Sequence, residues 1–435
     1  MKKEISLFWF RRDLRLEDNV GLTHALKGNY PVLPIFIFDK NILSKLPRDD
    51  ARLNFIYDTL EKINKTIEKD FKSSVAYLHD TPKEAFKKLM SEYDVQQVYT
   101  NSDYEPYAIK RDSQIKKLLS ENKIELLTFK DQVIFEKNEV VKSDGEPYVV
   151  YTPFKNRWKE KFRVEKSIEI KNTTKYLKNL LQINLSNPQL SELGFEKSSI
   201  KVPEYNVTHT LIENYEKTRN FPAIKNGTSH LGPHLRFGTV SVRQMVKKAI
   251  AEKNEVFWNE LIWREFFMQI LWHFPHTVNK SFRPKYDRID WRNNEKEFKK
   301  WCNGETGYAL VDAGLRQLNQ TGYMHNRVRM LVASFLCKHL LIDWRWGEAY
   351  FAEKLLDYDQ SANVGNWQWA AGSGVDAAPY FRIFNPMTQV DKFDKKKEYI
   401  NKWVTDLQEL TYPSKMVDHK MARERCLTVY KEALK

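Results

Sequence analysis

Apolar and polar residues alternate in blocks along the first third of the chain. Short apolar runs rich in β-branched and aromatic residues occupy 5–10, 32–38, 75–78, 95–100 and 124–129, separated by stretches of helical periodicity at about 49–70, 81–94 and 106–120. Thr81-Pro82-Lys83-Glu84 marks the start of one of these, with a capping hydroxyl, a proline at the first helical position and a glutamate three residues after the cap. Strands and helices taking turns in this way predict a parallel sheet with helices on both faces, a doubly wound α/β domain over 1–130.

The pattern then changes twice. Residues 131–202 are polar, rich in Lys and Asn and weakly periodic, with Ser186-Asn187-Pro188 and Ser198-Ser199 interrupting any long element, which predicts an extended connector. From 203 to 435 helical periodicity dominates, over 208–219, 241–252, 256–273, 295–302, 308–320, 323–340, 346–356 and 415–433. The chain thus reads as an α/β domain, a linker and an all-α domain.

Charge sharpens this division. The net charge of +14 splits into +3 for residues 1–130, with 23 basic and 20 acidic residues, and +11 for the remainder, with 48 and 37. Ten of the 12 tryptophans lie beyond residue 257. A basic, aromatic helical half suits a polyanion that carries flat rings, as well as a basic enzyme with a large core. Cys302, Cys337 and Cys426 are odd in number and far apart, so no disulfide framework or CxxC site is available, which favours a reducing compartment. The first residues lack the apolar core of a signal peptide and no run approaches 18 apolar residues, so a cytoplasmic protein without membrane attachment is expected.

The familiar catalytic motifs are missing. There is no GxGxxG, Walker A, HExxH or zinc-deaminase signature, and Gly372-Ser373-Gly374 is one residue short of a nucleophile elbow. His230 and His234 enclose Gly232-Pro233, which keeps them off one helix face, and no metal site is expected. A bound cofactor that carries the chemistry is the better expectation.

Three dense segments lie in the helical part. Glu260, Trp263, Arg264 and Phe267 share one helix face, either as a pocket that stacks a base or as an amphipathic helix with an internal Glu–Arg pair. Asn326 and Met330 share a face with Arg327 and Arg329 beside it, suited to reading a base or simply to meeting solvent. Residues 357–372 crowd acids, amides, glycines and two indoles into a poor helix and a poor strand, predicting a structured loop that leads into a helix. More weakly, Thr228-Ser229-His230-Leu231-Gly232-Pro233 offers backbone N–H groups suited to a diphosphate, or an ordinary helix cap.

Together these segments, with WFRRDLRLEDN at the amino terminus, FPAIKNGTSHLGPHLRFGTVS, NELIWREFF, TGYMHNRVRM and AAPYFRIFNP, resemble the DNA photolyase and cryptochrome family, and most closely its class I cyclobutane pyrimidine dimer enzymes. The resemblance spans nearly the whole chain. It implies an α/β antenna domain and a helical domain holding FAD, active as FADH⁻. Tyr215, Thr228, Ser229, His230, Leu231, Gly232, Phe257, Asp357 and Asp359 are then expected to hold FAD, with Arg329 paired to Asp357 and Asn363 facing flavin N5. Glu260, Asn326, Met330, Trp263 and Trp369 look like the lining that receives the dimer. Arg219, Arg264, Arg327, Arg382 and Gln389 look like DNA contacts. Trp291, Trp344 and Trp367 resemble a chain passing electrons to the flavin.

The implied activity is light-driven repair of cyclobutane dimers in damaged DNA, with Glu260, Asn326, Met330 and Asn363 as the catalytic group and a monomer as the expected state. A cryptochrome-like photoreceptor without repair activity is the rival. His325-Asn326 supplies one histidine where a (6-4) enzyme is expected to have two. Tyr104-Glu105 is followed by Pro106-Tyr107-Ala108 where folate-binding relatives have Asn-Glu, leaving the second chromophore open between folate, deazaflavin, another flavin and none.

Overall fold

The computed structural model describes residues 2–165 and 168–435; Met1, Lys166 and Ser167, the last two within the expected connector, lie outside the described residues. The described residues form two compact units, each assembled from three stretches of chain. One comprises the residues up to Glu136, Phe162–Tyr205 and Leu231–Ala251; the other comprises Lys137–Lys161, Asn206–His230 and Glu252–Lys435.

The first unit is built on a parallel sheet of five strands, β1 (Glu4–Phe10), β2 (Val32–Asp39), β3 (Ala76–Asp80), β4 (Asp94–Asn101) and β5 (Glu125–Phe129), in the order β3-β2-β1-β4-β5. All five strands fall where the apolar runs predict them. β1 and β2 are buried on both faces, which is why their sequences read as unbroken apolar runs. Phe8, Phe10, Phe36 and Phe38 point to one face and pack on the helices Val20–Leu26 and Ala51–Phe71. Leu7, Trp9, Ile35 and Ile37 point to the other, under the helices Pro82–Glu92 and Pro106–Glu121. The fold is therefore doubly wound. Thr81 caps its helix as expected, accepting the Glu84 N–H at 3.4 Å.

The amino-terminal motif of arginines and acids is structural. Asn19 caps the Val20–Leu26 helix, which the periodicity does not reveal. Arg15 and Arg243 converge on two buried carboxylates: Arg15 reaches Asp131 at 2.6 Å, and Arg243 reaches Asp131 at 2.8 Å and Asp18 at 3.0 Å. Burial alone would raise the Asp131 pKa, but the two guanidiniums outweigh it and hold that carboxylate below the ordinary range.

The stretch expected as a connector is corrected in part. It contains the 15-residue helix Tyr151–Glu165 and a 3₁₀ turn at Thr174–Asn179. Its buried large residues, Tyr151, Phe154, Trp158 and Phe162, follow one another at helical spacings of 3, 4 and 4, but this narrow stripe is set in an otherwise polar segment that reads as a connector.

The second unit is helical. The Glu255–His273 and Gln360–Ala371 helices approach so closely that a Cβ on Gly365 would stand 2.3 Å from the Phe267 ring. Gly347 does the same for Trp367, whose indole would lie 2.1 Å from an added Cβ on the Trp344–Lys354 helix. The helix expected over 323–340 starts at Asn326 and gives way at Phe335–His339 to a π turn. The structured loop expected over 357–372 is another correction: only Asp357–Asp359 precede a regular helix at Gln360–Ala371. Asn363 and Asn366 line a cavity and Gly365 allows the close contact with Phe267, tertiary demands that override poor helix propensity. Among the described residues no helix is long and apolar enough to cross a membrane.

Candidate active site

In the helical unit, a cavity enclosing about 600 Å³ opens between the Asn326–Ser334, Trp344–Lys354 and Gln360–Ala371 helices. Its wall brings together eight residues singled out in the sequence: Asn326, Arg329, Met330, Asp357, Asp359, Asn363, Trp367 and Trp369. The one-turn spacing of Asn326 and Met330 explains their shared direction.

Arg329 and Asp357 form a two-pronged ion pair, Nη1 to Oδ1 at 3.1 Å and Nη2 to Oδ2 at 2.9 Å. The remaining donor, Nε, reaches the Met324 carbonyl at 2.7 Å, so the guanidinium is fixed in its plane. Asp359 caps the Gln360–Ala371 helix by accepting the Ala362 N–H at 3.3 Å. One turn on, Asn363 donates through Nδ2 to both the carbonyl and the carboxylate of Glu348, at 3.0 and 2.9 Å. Burial raises the Glu348 pKa, and the Asn363 bond partly opposes this.

A second group surrounds Tyr323, a residue that sequence reasoning missed. Its hydroxyl lies 3.3 Å from the Thr228 hydroxyl, its ring meets the His230 ring at 4.8 Å, and the Arg329 guanidinium lies over it at 5.6 Å. His230 adopts a φ of +51° and its Nδ1 is buried without a hydrogen-bond partner. Burial lowers its pKa and the Asp357 carboxylate opposes that shift. His325 caps the Asn326–Ser334 helix through Nδ1 at 3.2 Å from the Arg327 N–H, and its Nε2 is likewise without a partner. Burial, reinforced by the Arg329 and Arg327 charges, pushes the His325 pKa down to about 3.

Glu260 pairs with Arg219, which lies 41 positions earlier at the end of another helix. Burial pulls the Arg219 pKa down, but the Glu260 carboxylate outweighs it and leaves the pKa raised. The Arg219 guanidinium lies 5.5 Å over the Tyr215 ring, which meets Phe257 edge-on at 5.2 Å. Arg327 donates to Asn220 at 2.6 Å and lies 4.4 Å over Phe393; burial and the nearby charges of Arg219 and Arg382 lower its pKa. Arg382 and Gln389 sit on the loop and helix that follow, beside exposed Phe381 and Met387. Trp263 stacks on Tyr151 at 3.6 Å. Ser229 accepts the Asn206 N–H at 2.8 Å. Leu231 and Gly232 fall in the α/β unit, at the start of the Gly232–Phe237 helix.

Trp344 and Trp367 are buried in one apolar cluster, and Trp291 packs partly exposed against it. Trp367 meets Trp301 at 6.2 Å and Phe351 at 5.0 Å, while Trp291 meets Tyr430 at 6.0 Å.

The α/β unit holds its own cleft, about 900 Å³, at the carboxyl ends of β1 and β2 next to the point where the strand order reverses between β1 and β4. Open parallel sheets bind ligands there. Its lining includes Trp9, Phe36, Phe38, Asp39, Tyr107 and Arg111. Tyr107 donates to the Asp39 carboxylate, so the residues that depart from the folate pattern face this cleft.

A doubly wound α/β unit with an aromatic cleft and a helical unit with an anchored Arg–Asp pair in a polar cavity define a two-part flavoprotein. The chain belongs to the DNA photolyase family. Residues 6–173 match the DNA photolyase model and 257–432 the FAD binding domain of DNA photolyase. The chain is 37% identical to the deoxyribodipyrimidine photo-lyase of Agrobacterium fabrum, over 98% of this chain and 97% of that protein. It superposes on a class III photolyase from Agrobacterium tumefaciens with a TM-score of 0.87 at 33% identity, covering 100% of this chain and 98% of that one. An archaeal photolyase from Sulfolobus tokodaii, solved with two FAD molecules, gives 0.83 at 32%, covering 99% and 100%.

Proposed function

We propose that the protein repairs cyclobutane pyrimidine dimers in DNA with light, through FAD held in the helical unit. The observation that carries this reading is the shared cavity: Arg329, Asp357 and Asn363 open onto the same space as Asn326, Met330 and Trp369. The residues fit a flavin nucleotide, because His230 Nδ1 is a buried ring nitrogen lacking a partner beside an anchored ion pair, as a polar ligand would require. FAD bound there would supply, when reduced and excited, an electron to the dimer that returns once the bonds have broken, so no net reductant would be consumed.

The residues of the chain do the rest. Arg329 and Asp357 present a fixed pair of opposite charges, and Asn363, its amide nitrogen held by Glu348, leaves its carbonyl oxygen free of that anchor to meet the flavin. Asn326 and Met330 offer an amide edge and a thioether to a flipped dimer, a step general to enzymes of this kind. Glu260 hydrogen-bonds the dimer as negative charge develops on it, and Arg219, Arg327 and Arg382 meet the phosphates. Trp367, Trp344 and Trp291 carry electrons inward from the surface. The cleft of the α/β unit takes a second chromophore with a flat, flavin-like ring system, since Trp9, Phe36 and Phe38 supply aromatic walls and Tyr107 and Ala108 replace the folate-type Asn-Glu pair. Illumination of reduced protein with a dimer-containing oligonucleotide tests the reading: absorbance of the thymine band should recover, and no recovery would refute it.

A further inference from the structure

Tyr151 stands at the start of the helix that the sequence reading missed, and only 7% of it is exposed. Its ring lies flat on the indole of Trp263, centroids 3.6 Å apart and planes 9° from parallel. Its hydroxyl donates to the Asn259 carbonyl at 2.8 Å, one turn before Trp263 on the same helix. The ring therefore cannot swing without losing a bond to the element that carries its partner. Its N–H donates to Asp376 at 3.3 Å, fixing the residue to the loop that leads to Arg382. Phe266 meets both rings edge-on, at 5.8 Å from Tyr151 and 5.6 Å from Trp263, and buttresses the pair. Trp263 itself stays partly exposed.

An exposed indole that must stack on a ligand loses rotamer freedom when it does so, and a ring clamped beforehand avoids that loss. We infer that Tyr151 is a positioning residue of the lesion pocket, holding the Trp263 indole in the orientation on which a flipped pyrimidine dimer stacks. This rests on the reading of Trp263 as the stacking wall of that pocket. Burial, with the Glu260 carboxylate adding to it, raises the Tyr151 pKa, so the phenol keeps the proton it donates to Asn259.

The test compares FAD-loaded protein in the dark, binding a single-stranded oligonucleotide with one thymine dimer and the same strand undamaged. Tyr151→Leu should weaken dimer binding by about 2- to 13-fold while sparing undamaged DNA and FAD content, the range expected for one aromatic pair. Tyr151→Phe, which keeps the ring and loses the hydroxyl anchor, should fall between. In a Trp263→Leu background either substitution should have no further effect, because Tyr151 acts through that indole. Unchanged dimer affinity in Tyr151→Leu, or an equal loss in both backgrounds, overturns the inference; should Tyr151→Leu lose FAD, the Tyr151→Phe pair decides on the same criterion. A wild-type protein that binds both oligonucleotides equally overturns the repair reading itself, and the inference with it, and is read without any variant.

Discussion

The side-chain nitrogen of Asn363 donates twice to one residue, Glu348, reaching its carbonyl at 3.0 Å and its carboxylate at 2.9 Å. The amide nitrogen is thereby held to the Trp344–Lys354 helix, and Asn363 lines the cavity together with Arg329 and Asp357. Sequence motifs point to Asn363 alone; the residue that aims it lies 15 positions earlier on another helix.

Glu348→Ala should therefore change the flavin without ejecting it. Removing a buried carboxylate near the ring favours added negative charge, so the midpoint potential should rise by roughly 30 mV, equivalent to about 1.4 kcal/mol for two electrons. Potentiometric titration of FAD-loaded variant and wild type checks this. An unchanged potential would take Glu348 out of the flavin's surroundings.

The buried charges of the α/β unit predict a stability effect remote from the chemistry. Arg243→Ala leaves Asp18 and Asp131 short of a partner at almost no exposure, which should cost about 3–5 kcal/mol. Denaturant unfolding of the α/β unit's transition reports it; a loss below about 1 kcal/mol would mean that water replaces the guanidinium there.

Acid should destabilise the protein earlier than carboxylate titration alone would. His325 and His339 are both pushed down to about 3, by burial first, with nearby arginines and, for His339, His419 adding to it. Each therefore takes up its proton near 6.5 when unfolded but only near 3 when folded. Their contribution is present above pH 6.5 and lost as the pH falls toward 3, at up to about 2 kcal/mol each by pH 5. Melting curves between pH 7 and 5 should show the decline. His339→Gln should flatten it, and an identical slope in this variant would contradict the assignment.

Trp291→Phe should abolish photoreduction of oxidised flavin while leaving repair by enzyme already reduced intact. Absorbance changes under blue light, with an external thiol present, distinguish the two. Normal photoreduction would remove Trp291 from the electron route.

The central strands β1 and β2 were legible because both of their faces are covered, so burial writes itself as continuous apolar runs. The Tyr151–Glu165 helix was not, because its mean composition is polar and its four large anchors are the only signal. The cavity residues were legible through family-like motifs, and Asn326 and Met330 also through their helical spacing. Their partners were not: Glu348 and Tyr323 reach the cavity residues, and Tyr151 reaches Trp263, through tertiary contacts that periodicity does not reveal. The Glu260–Arg219 pair shows the same limit, since its two residues lie 41 positions apart and no sequence spacing joins them.

The most direct test of the account follows a single thymine dimer in an oligonucleotide by chromatography, with reduced, FAD-loaded protein, in light and in darkness. The account predicts conversion to the intact thymines only in light, with full turnover and no consumption of reductant, and a markedly lower yield for Glu260→Ala at equal FAD content. Failure of the wild-type protein to convert the dimer in light, or equal conversion in darkness, would contradict it.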